Sequence, residues 1–292
     1  PDKRFQSGMA FVEALRKAAE PNSPNKITWG PETLAFGVEL NQSADFGVKD
    51  DRDKAVRALF RDAKFRRALS HATDRDGIAQ AIMRGPFLRA WAGGLYPGAP
   101  EFDQKSVVYY PYHVETAKAL LAELGLKDTD NNGILNWTSG PAAGQDLIFS
   151  VRASQDAIET VNIGEALVNQ WAKVGIKVNL RPTSSQTATD QNNSGEWDMS
   201  VFRGGQQYAL PFFNCDQIAP LTKTAPNWHR EGSTPRQLRP FEEELNKITA
   251  QYCVELDPAK RKALMSQYNK IFTENNYNIG VIIGRYGENL TK

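Results

Sequence analysis

The sequence predicts an α/β protein in which helices cover both faces of a mixed, largely parallel sheet. The main observation is an alternation between residues 147 and 202, where short apolar runs of strand length are separated by helical or polar stretches. Strand, helix, strand, crossover and strand in this order predict parallel neighbours joined by right-handed crossovers. The second observation is a further apolar run, residues 278–284, which predicts another strand near the end of the chain.

Before the alternating unit, the sequence predicts an extended entry, one strand and several helices. Residues 21–30 contain two prolines and polar turn formers, and residues 33–40 (TLAFGVEL) have the composition of a strand. Residues 54–84 repeat apolar side chains at helical spacing with a break in the middle. Thr73 and Asp76 match a capping box, which predicts that a second helix begins at this break.

The remaining predicted elements follow from the same periodicities. They are strands over 147–151, 176–181, 197–202 and 278–284, and helices over 114–124, 157–174, 241–252 and 258–275. Residues 85–112 have no clear period and form a long, aromatic-bearing loop, a type of segment that is often functional.

Composition excludes several classes of protein. The chain has 292 residues, with 35 Lys and Arg against 34 Asp and Glu, so it lacks the charge excess of a nucleic-acid-binding domain. No segment has the roughly 18 uninterrupted apolar residues of a membrane span. The two cysteines, Cys215 and Cys253, form no CxxC pair. They predict either a disulfide or two buried thiols, and the thiols are the favoured interpretation.

The candidate binding residues lie in loops. Ligands of parallel sheets bind beyond the carboxyl ends of the strands, where residues 203–208 follow the predicted strand 197–202. Aromatic residues of other loops could stack on a sugar ring or a peptide side chain. The candidates are Arg203, Gly204, Gln206, Gln207 and Tyr208 in the strand-end loop, with Trp91 and Tyr96 in the long loop and Trp228 beside His229.

Catalytic and metal-binding signatures are weak or absent from the sequence. Asp128, Asp130 and Asn132, with Gly133, match the first half of a calcium loop. The twelfth position is Ser139 instead of glutamate, so an Asx-rich turn without metal is the favoured interpretation. The three histidines are far apart, and no nucleophile-elbow, zinc-protease or nucleotide-binding motif is present. The sequence therefore predicts no cofactor and no enzyme activity.

One stretch resembles a known family. Residues 62–78, DAKFRRALSHATDRDGI, are similar to the "vR-x-A-l-x-x-A-i-D-R-x-x-I" stretch of family 5 extracellular solute-binding proteins, the receptors of ATP-binding-cassette (ABC) importers. The similarity continues in the expected order from about Thr33 to Ile283. The matching segments are TLAFGVELN, LYPGAPEFD, YYPYHVETAKALLAELGLKDTDNNGIL, VGIKVNLR, GEWDM and AKRKALMSQYNKIFTENNYNI.

The resemblance implies one lobe of a two-lobed periplasmic binding protein fold. Residues 1–30 would be an entry segment from an N-terminal lobe, residues 31–282 the C-terminal ligand-binding lobe, and residues 283–292 the start of a return segment. The resemblance implies a parent protein that is periplasmic, or extracellular and lipid-anchored. The N-terminus of this chain has no signal peptide, so the leader is expected to lie outside it. The expected partners of the parent protein are a small-molecule ligand and the membrane permease.

The resemblance also bears on the ligand. Peptide-binding members of the family have a Gly-Trp pair after the equivalent of WDM and then an Asp that binds the free amino group of the peptide. In this chain the Trp falls at Gly204 and the Asp at Gln207, and an amide cannot replace that charge. Peptide and oligosaccharide ligands both remain open. A hydrolase, which would need a titratable pair in the cleft, and a protein-interaction domain are the other classes considered.

Overall fold

The computed structural model describes residues 26–82, 87–285 and 288–291, together with Glu13 and Lys17, which are helical. Most of the predicted entry segment lies outside these residues. Between residues 26 and 285, the described α-helices are α1 (Asp51–Arg61), α2 (Ala63–His71), α3 (Arg75–Ile82), α4 (Val114–Glu123), α5 (Ile158–Ala172), α6 (Ser185–Ser194), α7 (Pro240–Val254) and α8 (Pro258–Glu274). None of the helices in the described ranges is long and apolar enough to cross a membrane.

The strands form one six-stranded sheet and two small ones. They are β1 (Lys26–Trp29), β2 (Glu32–Leu40), β3 (Leu88–Ala90), β4 (Leu126–Lys127), β5 (Asn136–Trp137), β6 (Ile148–Ser154), β7 (Lys177–Thr183), β8 (Met199–Arg203), β9 (Ile279–Arg285) and β10 (Glu288–Thr291). The main sheet has the order β3-β9-β2-β8-β6-β7, while β1 pairs with β10 and β4 with β5.

The main sheet is mixed, as predicted, and four of its six strands point the same way. β6 pairs in parallel with both β7 and β8, so the predicted crossover unit is confirmed. β2 is antiparallel to both β8 and β9, and β3 is antiparallel to β9. Parallel ladders are therefore confined to one side of the sheet, and β2 reverses the direction at its centre.

Helices cover both faces of the sheet. Phe149 and Val151 on one face of β6 belong to the same core as Leu167 and Trp171 of α5. Arg152 points to the opposite face, because side chains alternate along a strand, and its guanidinium donates to the Ala188 carbonyl of α6 at 3.2 Å. α5 and α6 therefore lie on opposite sides of β6.

The second face carries its own core, which supports the candidate site. Ala35 of β2 and Ile283 of β9 pack there with aromatic and aliphatic side chains of α7 and α8. Tyr252 and Phe272 are fully buried members of this core. β9 runs to Arg285 within the main sheet.

The helical region before residue 84 divides differently from the prediction. The Asp62 carboxylate accepts from the Lys64 amide at 2.7 Å and starts α2, so the predicted first helix is split. The predicted capping box at Thr73 is wrong. The Thr73 hydroxyl donates to the Leu69 carbonyl at 2.7 Å, and Asp74, the next residue, accepts from the Gly77 amide at 3.0 Å.

Cys215 and Cys253 form a disulfide, with their Cα atoms 5.7 Å apart. The interpretation as two separate thiols is therefore wrong. The bond ties the short 3₁₀ helix Cys215–Gln217 to the last turn of α7. Sequence spacing could not reveal this, because the two residues meet only through tertiary structure.

Candidate functional site

A cleft of about 520 Å³ opens beyond the carboxyl ends of the three parallel strands. Ser154, Thr183 and Arg203, the last residues of β6, β7 and β8, all line it. The predicted position of the strand-end loop is confirmed. The wall of the cleft also contains Glu39 of β2 and Tyr96. Polar residues of α6 and of the segment between β7 and α6 complete the wall.

The strand-end loop contributes three of its five predicted residues to this wall. Arg203, Gln207 and Tyr208 line the cleft together with Gly205, which was not predicted, whereas Gly204 does not line it and Gln206 is exposed. The loop closes in a 3₁₀ turn, Gln206–Tyr208, which turns the Tyr208 ring inward to full burial. The loop therefore presents the guanidinium of Arg203 and the amide of Gln207 to the cleft, and the buried phenol of Tyr208 lies behind them.

Gly204 of this loop packs against Tyr96 of the long aromatic loop. Its amide donates to the Ala35 carbonyl at 2.7 Å, which fixes the loop to β2. A Cβ on Gly204 would fall inside the van der Waals radius of the Tyr96 hydroxyl and 3.1 Å from the Ala35 Cβ. The Tyr96 phenol therefore occupies the space that any side chain at position 204 would need.

Replacing Gly204 with alanine is expected to destabilise the protein by about 1–3 kcal/mol and to weaken ligand binding, because the buried Tyr96 ring would have to move. Gly205→Ala is the matched control. A Cβ there meets only the amide end of the flexible Gln207 side chain, so its effect should stay within about 0.5 kcal/mol. Chemical denaturation of the two variants measures the difference. Equal stabilities would show that Tyr96 does not constrain position 204.

Trp91 and Trp228 lie in the core instead of on the cleft wall, which corrects the expectation that they contact a ligand. Trp91 is 4% exposed and packs edge-on against Tyr96, with ring centroids 5.4 Å apart. Trp228 is 2% exposed and packs edge-on against Tyr277. Sequence reasoning placed both in loops, and these loops are folded over the second core.

His229 belongs to a buried ionic network. Its Nδ1 lies 2.6 Å from the Glu242 carboxylate, and its Nε2 lies 3.3 Å from the Arg61 guanidinium. Since the guanidinium can only donate, Nε2 accepts and Nδ1 carries the proton. Burial lowers the pKa of His229, which keeps the ring neutral. This arrangement is structural and contributes no group to the cleft.

Sequence reasoning missed two charged residues that face the cleft, Glu39 and Arg152. Arg152 donates to the Asn192 side chain at 2.5 Å, and its guanidinium stacks 4.3 Å above the Trp197 ring. Burial lowers the pKa of Arg152 to about 10. The alternation of TLAFGVEL contained the signal for Glu39, because Phe36, Val38 and Leu40 share one face and leave Glu39 on the other.

A second cavity, of about 610 Å³, adjoins the cleft at Arg152, which lines both, and is lined by charged side chains. Several of these charged side chains have partners. Lys49 contacts Glu196 at 2.5 Å, Arg52 lies 3.6 Å from Asp198, and Arg57 donates to the Gly195 carbonyl at 2.8 Å. The carboxyl-end cleft is the better candidate, because several of its polar groups lack partners within the described residues.

The partial calcium motif forms a hydrogen-bonded turn. The Asp128 carboxylate accepts from the amides of Asn132 and Gly133, at 3.2 and 3.0 Å. The Asp130 carboxylate accepts from the Asn132 side chain at 3.1 Å. Among the residues that the structure describes, no group of three or more His, Cys, Asp or Glu side chains is arranged to hold a metal ion.

The fold corresponds to that of a known protein family. The family model of bacterial extracellular solute-binding proteins, family 5 Middle, matches residues 4–223. The chain therefore belongs to the family 5 extracellular solute-binding proteins, as the resemblance implied. Members with solved structures share its architecture, which confirms the α/β fold class.

Two sugar receptors are similar over nearly the whole chain. The periplasmic alpha-galactoside-binding protein of Rhizobium meliloti (strain 1021) is 34% identical over 93% of this chain and 39% of its own length. The periplasmic binding protein MelB of Agrobacterium fabrum C58, solved with stachyose, is 33% identical with a TM-score of 0.88, over 96% of this chain and 42% of that one. The chain thus spans about two-fifths of the length of these relatives.

A peptide receptor shares the fold at lower identity. An oligopeptide-binding protein OppA has a TM-score of 0.79 at 21% identity, with 98% of this chain and 46% of that chain covered. At this identity the similarity bears on the fold alone.

Proposed function

We propose that this chain is the C-terminal ligand-binding lobe of an ABC importer receptor whose ligand is an oligosaccharide of the α-galactoside class. The receptor captures the sugar in its interlobe cleft and delivers it to the membrane permease. The observation that carries the proposal is the identity of 33–34%, over more than nine-tenths of this chain, with two receptors named for α-galactosides or solved with stachyose.

The residue at the position of the peptide anchor supports a ligand without a free amino group. Gln207 stands where the resemblance places the peptide anchor, and its amide lines the cleft with no carboxylate in its position. Amides, hydroxyls and phenols bind sugar hydroxyls through neutral hydrogen bonds. The sequence left peptide and oligosaccharide open, and the similarities to the sugar receptors favour the second.

The path of the chain supports a single lobe. β1 and β10 pair antiparallel from Lys26↔Thr291 to Trp29↔Glu288, so the chain enters and leaves this unit side by side. We assign residues 31–285 to the lobe and the flanking residues to connections with a second lobe. A location outside the cytoplasm is favoured by the disulfide and by the periplasmic relatives, free in the periplasm or held by a lipid anchor.

A thermal-shift screen of the full-length protein tests the ligand class. Stachyose and raffinose should raise the melting temperature, because a ligand that binds only the native state stabilises it by about 2.7 kcal/mol at one hundred times Kd. Maltotriose serves as a sugar control of a different linkage, and free and N-acetylated tripeptides represent the competing class. A shift with free peptides and none with any sugar would contradict the proposal.

A further inference from the structure

The cleft contains an acidic side chain whose position is unusual for a central strand. Glu39 lies on β2 opposite Ser200 of β8, and both residues line the cleft. Its neighbours Val38 and Leu40 are fully buried in the core on the other face. Glu39 therefore projects from the middle of the sheet toward the ligand space and not into the core.

The carboxylate of Glu39 has no partner in the part of the chain that the structure describes. No hydrogen bond or ion pair to it is formed there, although the positive charge of Arg152 acts on it. Arg152 lies two strands away, on β6, and its hydrogen bonds go to α6. Burial raises the pKa of Glu39 to about 7, and Arg152 only partly opposes this rise.

Two phenols near Glu39 are also without partners. Among the described residues, the buried hydroxyls of Tyr96 and Tyr208 form no hydrogen bond. Tyr268, the neighbour of Tyr208, donates its own proton to the Ile218 carbonyl at 2.5 Å. The pKa of both phenols is raised, chiefly by burial; the negative charge of Glu39 adds to the rise at Tyr96, and those of Tyr268 and Glu39 add to it at Tyr208. All three cleft side chains, Glu39, Tyr96 and Tyr208, line the same wall.

The part-buried carboxylate of Glu39 is the group at this cleft that a ligand can reach. A polar group that gains a hydrogen bond on binding adds to the affinity, so a ligand that donates to Glu39 is favoured. A carboxylate only accepts, while a phenol can both donate and accept. The complementary surface is a set of adjacent hydroxyl groups, which a pyranose ring offers.

We propose that Glu39 is the specificity-determining residue of the cleft, accepting hydrogen bonds from adjacent hydroxyls of one sugar unit. This inference rests on the proposed function, because it assigns a residue to the same ligand. A carboxylate accepting two hydroxyls fixes their relative positions, so it distinguishes sugars by the configuration of neighbouring carbons.

The test is a calorimetric titration of stachyose into the full-length protein, its Glu39→Gln variant and the control Glu196→Gln, which changes an acid of the other cavity. Glu39→Gln should weaken stachyose binding about 10–100-fold, since hydrogen bonds to charged groups contribute about 1.5–3 kcal/mol. Glu196→Gln should leave the affinity within twofold. Circular dichroism establishes that each variant is folded.

A second readout separates a ligand contact from an indirect effect. Raffinose analogues that each lack one galactose hydroxyl should lose affinity for the wild type at the hydroxyls that Glu39 binds. The same analogues should lose markedly less affinity for the Glu39→Gln variant, because the carboxylate that binds these hydroxyls is already absent. Folded Glu39→Gln that binds stachyose within twofold of the wild type would overturn the inference alone. A wild type that binds no oligosaccharide would overturn the proposed function and this inference with it.

Discussion

Reduction of the Cys215–Cys253 disulfide is expected to lower the free energy of unfolding by about 4 kcal/mol. The bond closes a loop with a sequence separation of 38 residues, and opening it restores the conformational entropy of that loop to the unfolded chain. It also releases the 3₁₀ helix Cys215–Gln217 from α7, next to the aromatic core under the cleft. Guanidinium denaturation with and without reductant measures the change.

The chain provides its own control for this experiment, because these are the only two cysteines in the sequence. The double variant Cys215→Ala/Cys253→Ala should match the reduced wild type and should not respond to reductant. An unfolding midpoint that stays the same after complete reduction, verified by thiol labelling, would contradict the expected contribution.

The substitution Glu242→Gln is expected to cost about 3 kcal/mol, because it removes the buried anion from a cluster of cations. The Glu242 carboxylate accepts from Arg239 and from His229, each at 2.6 Å, and its side chain is fully buried. Its charge also acts on the buried guanidinium of Arg66. Without it, the guanidiniums of Arg239 and Arg66 would repel each other in a buried site. Thermal or chemical denaturation at pH 7 measures the loss.

The effect of Glu242→Gln should depend on pH in a defined direction. The hydrogen bonds from His229 and Arg239 and the charge of Arg239 outweigh burial and hold the pKa of Glu242 well below its usual 4.5. A depressed pKa contributes stability that is present above 4.5 and is lost as the pH falls. The difference between wild type and variant should therefore narrow below pH 4.5. Glu243→Gln, an exposed acid on the same helical turn, is the control and should cost less than about 0.5 kcal/mol.

The parts of the fold that follow from local periodicity could be predicted. The run LIFSV and the helix that contains Leu167 and Trp171 led to a correct prediction of the parallel strands. Each of these elements buries one apolar face, and that periodicity is visible in the sequence. The same reasoning placed the loop after β8 at the ligand end of the sheet. Both predictions depend only on residues that are close together in sequence, and the alternation of strands and helices is visible at that range.

What depends on distant contacts could not be predicted. Trp91 and Trp228 look like loop aromatics in the sequence, but packing from α7 and α8 covers them. The capping role falls to Asp74 because the Thr73 hydroxyl is engaged by Leu69 and by Trp171, almost one hundred residues later. Glu39 becomes a candidate ligand-binding residue only in the folded structure, where it lines the same cleft as Tyr96 and Tyr208, which are distant in sequence.

The most direct test of the central claim is a competition titration with the full-length protein. Stachyose is titrated by calorimetry into protein alone and into protein incubated with an excess of free tripeptide. Stachyose is expected to give a saturable heat of binding in both titrations, and the peptide should leave this heat unchanged. The reason is that the amide of Gln207 offers no anchor for the ammonium group of the peptide. Loss of the stachyose heat in the presence of the peptide, or peptide binding with no response to stachyose, would contradict this expectation.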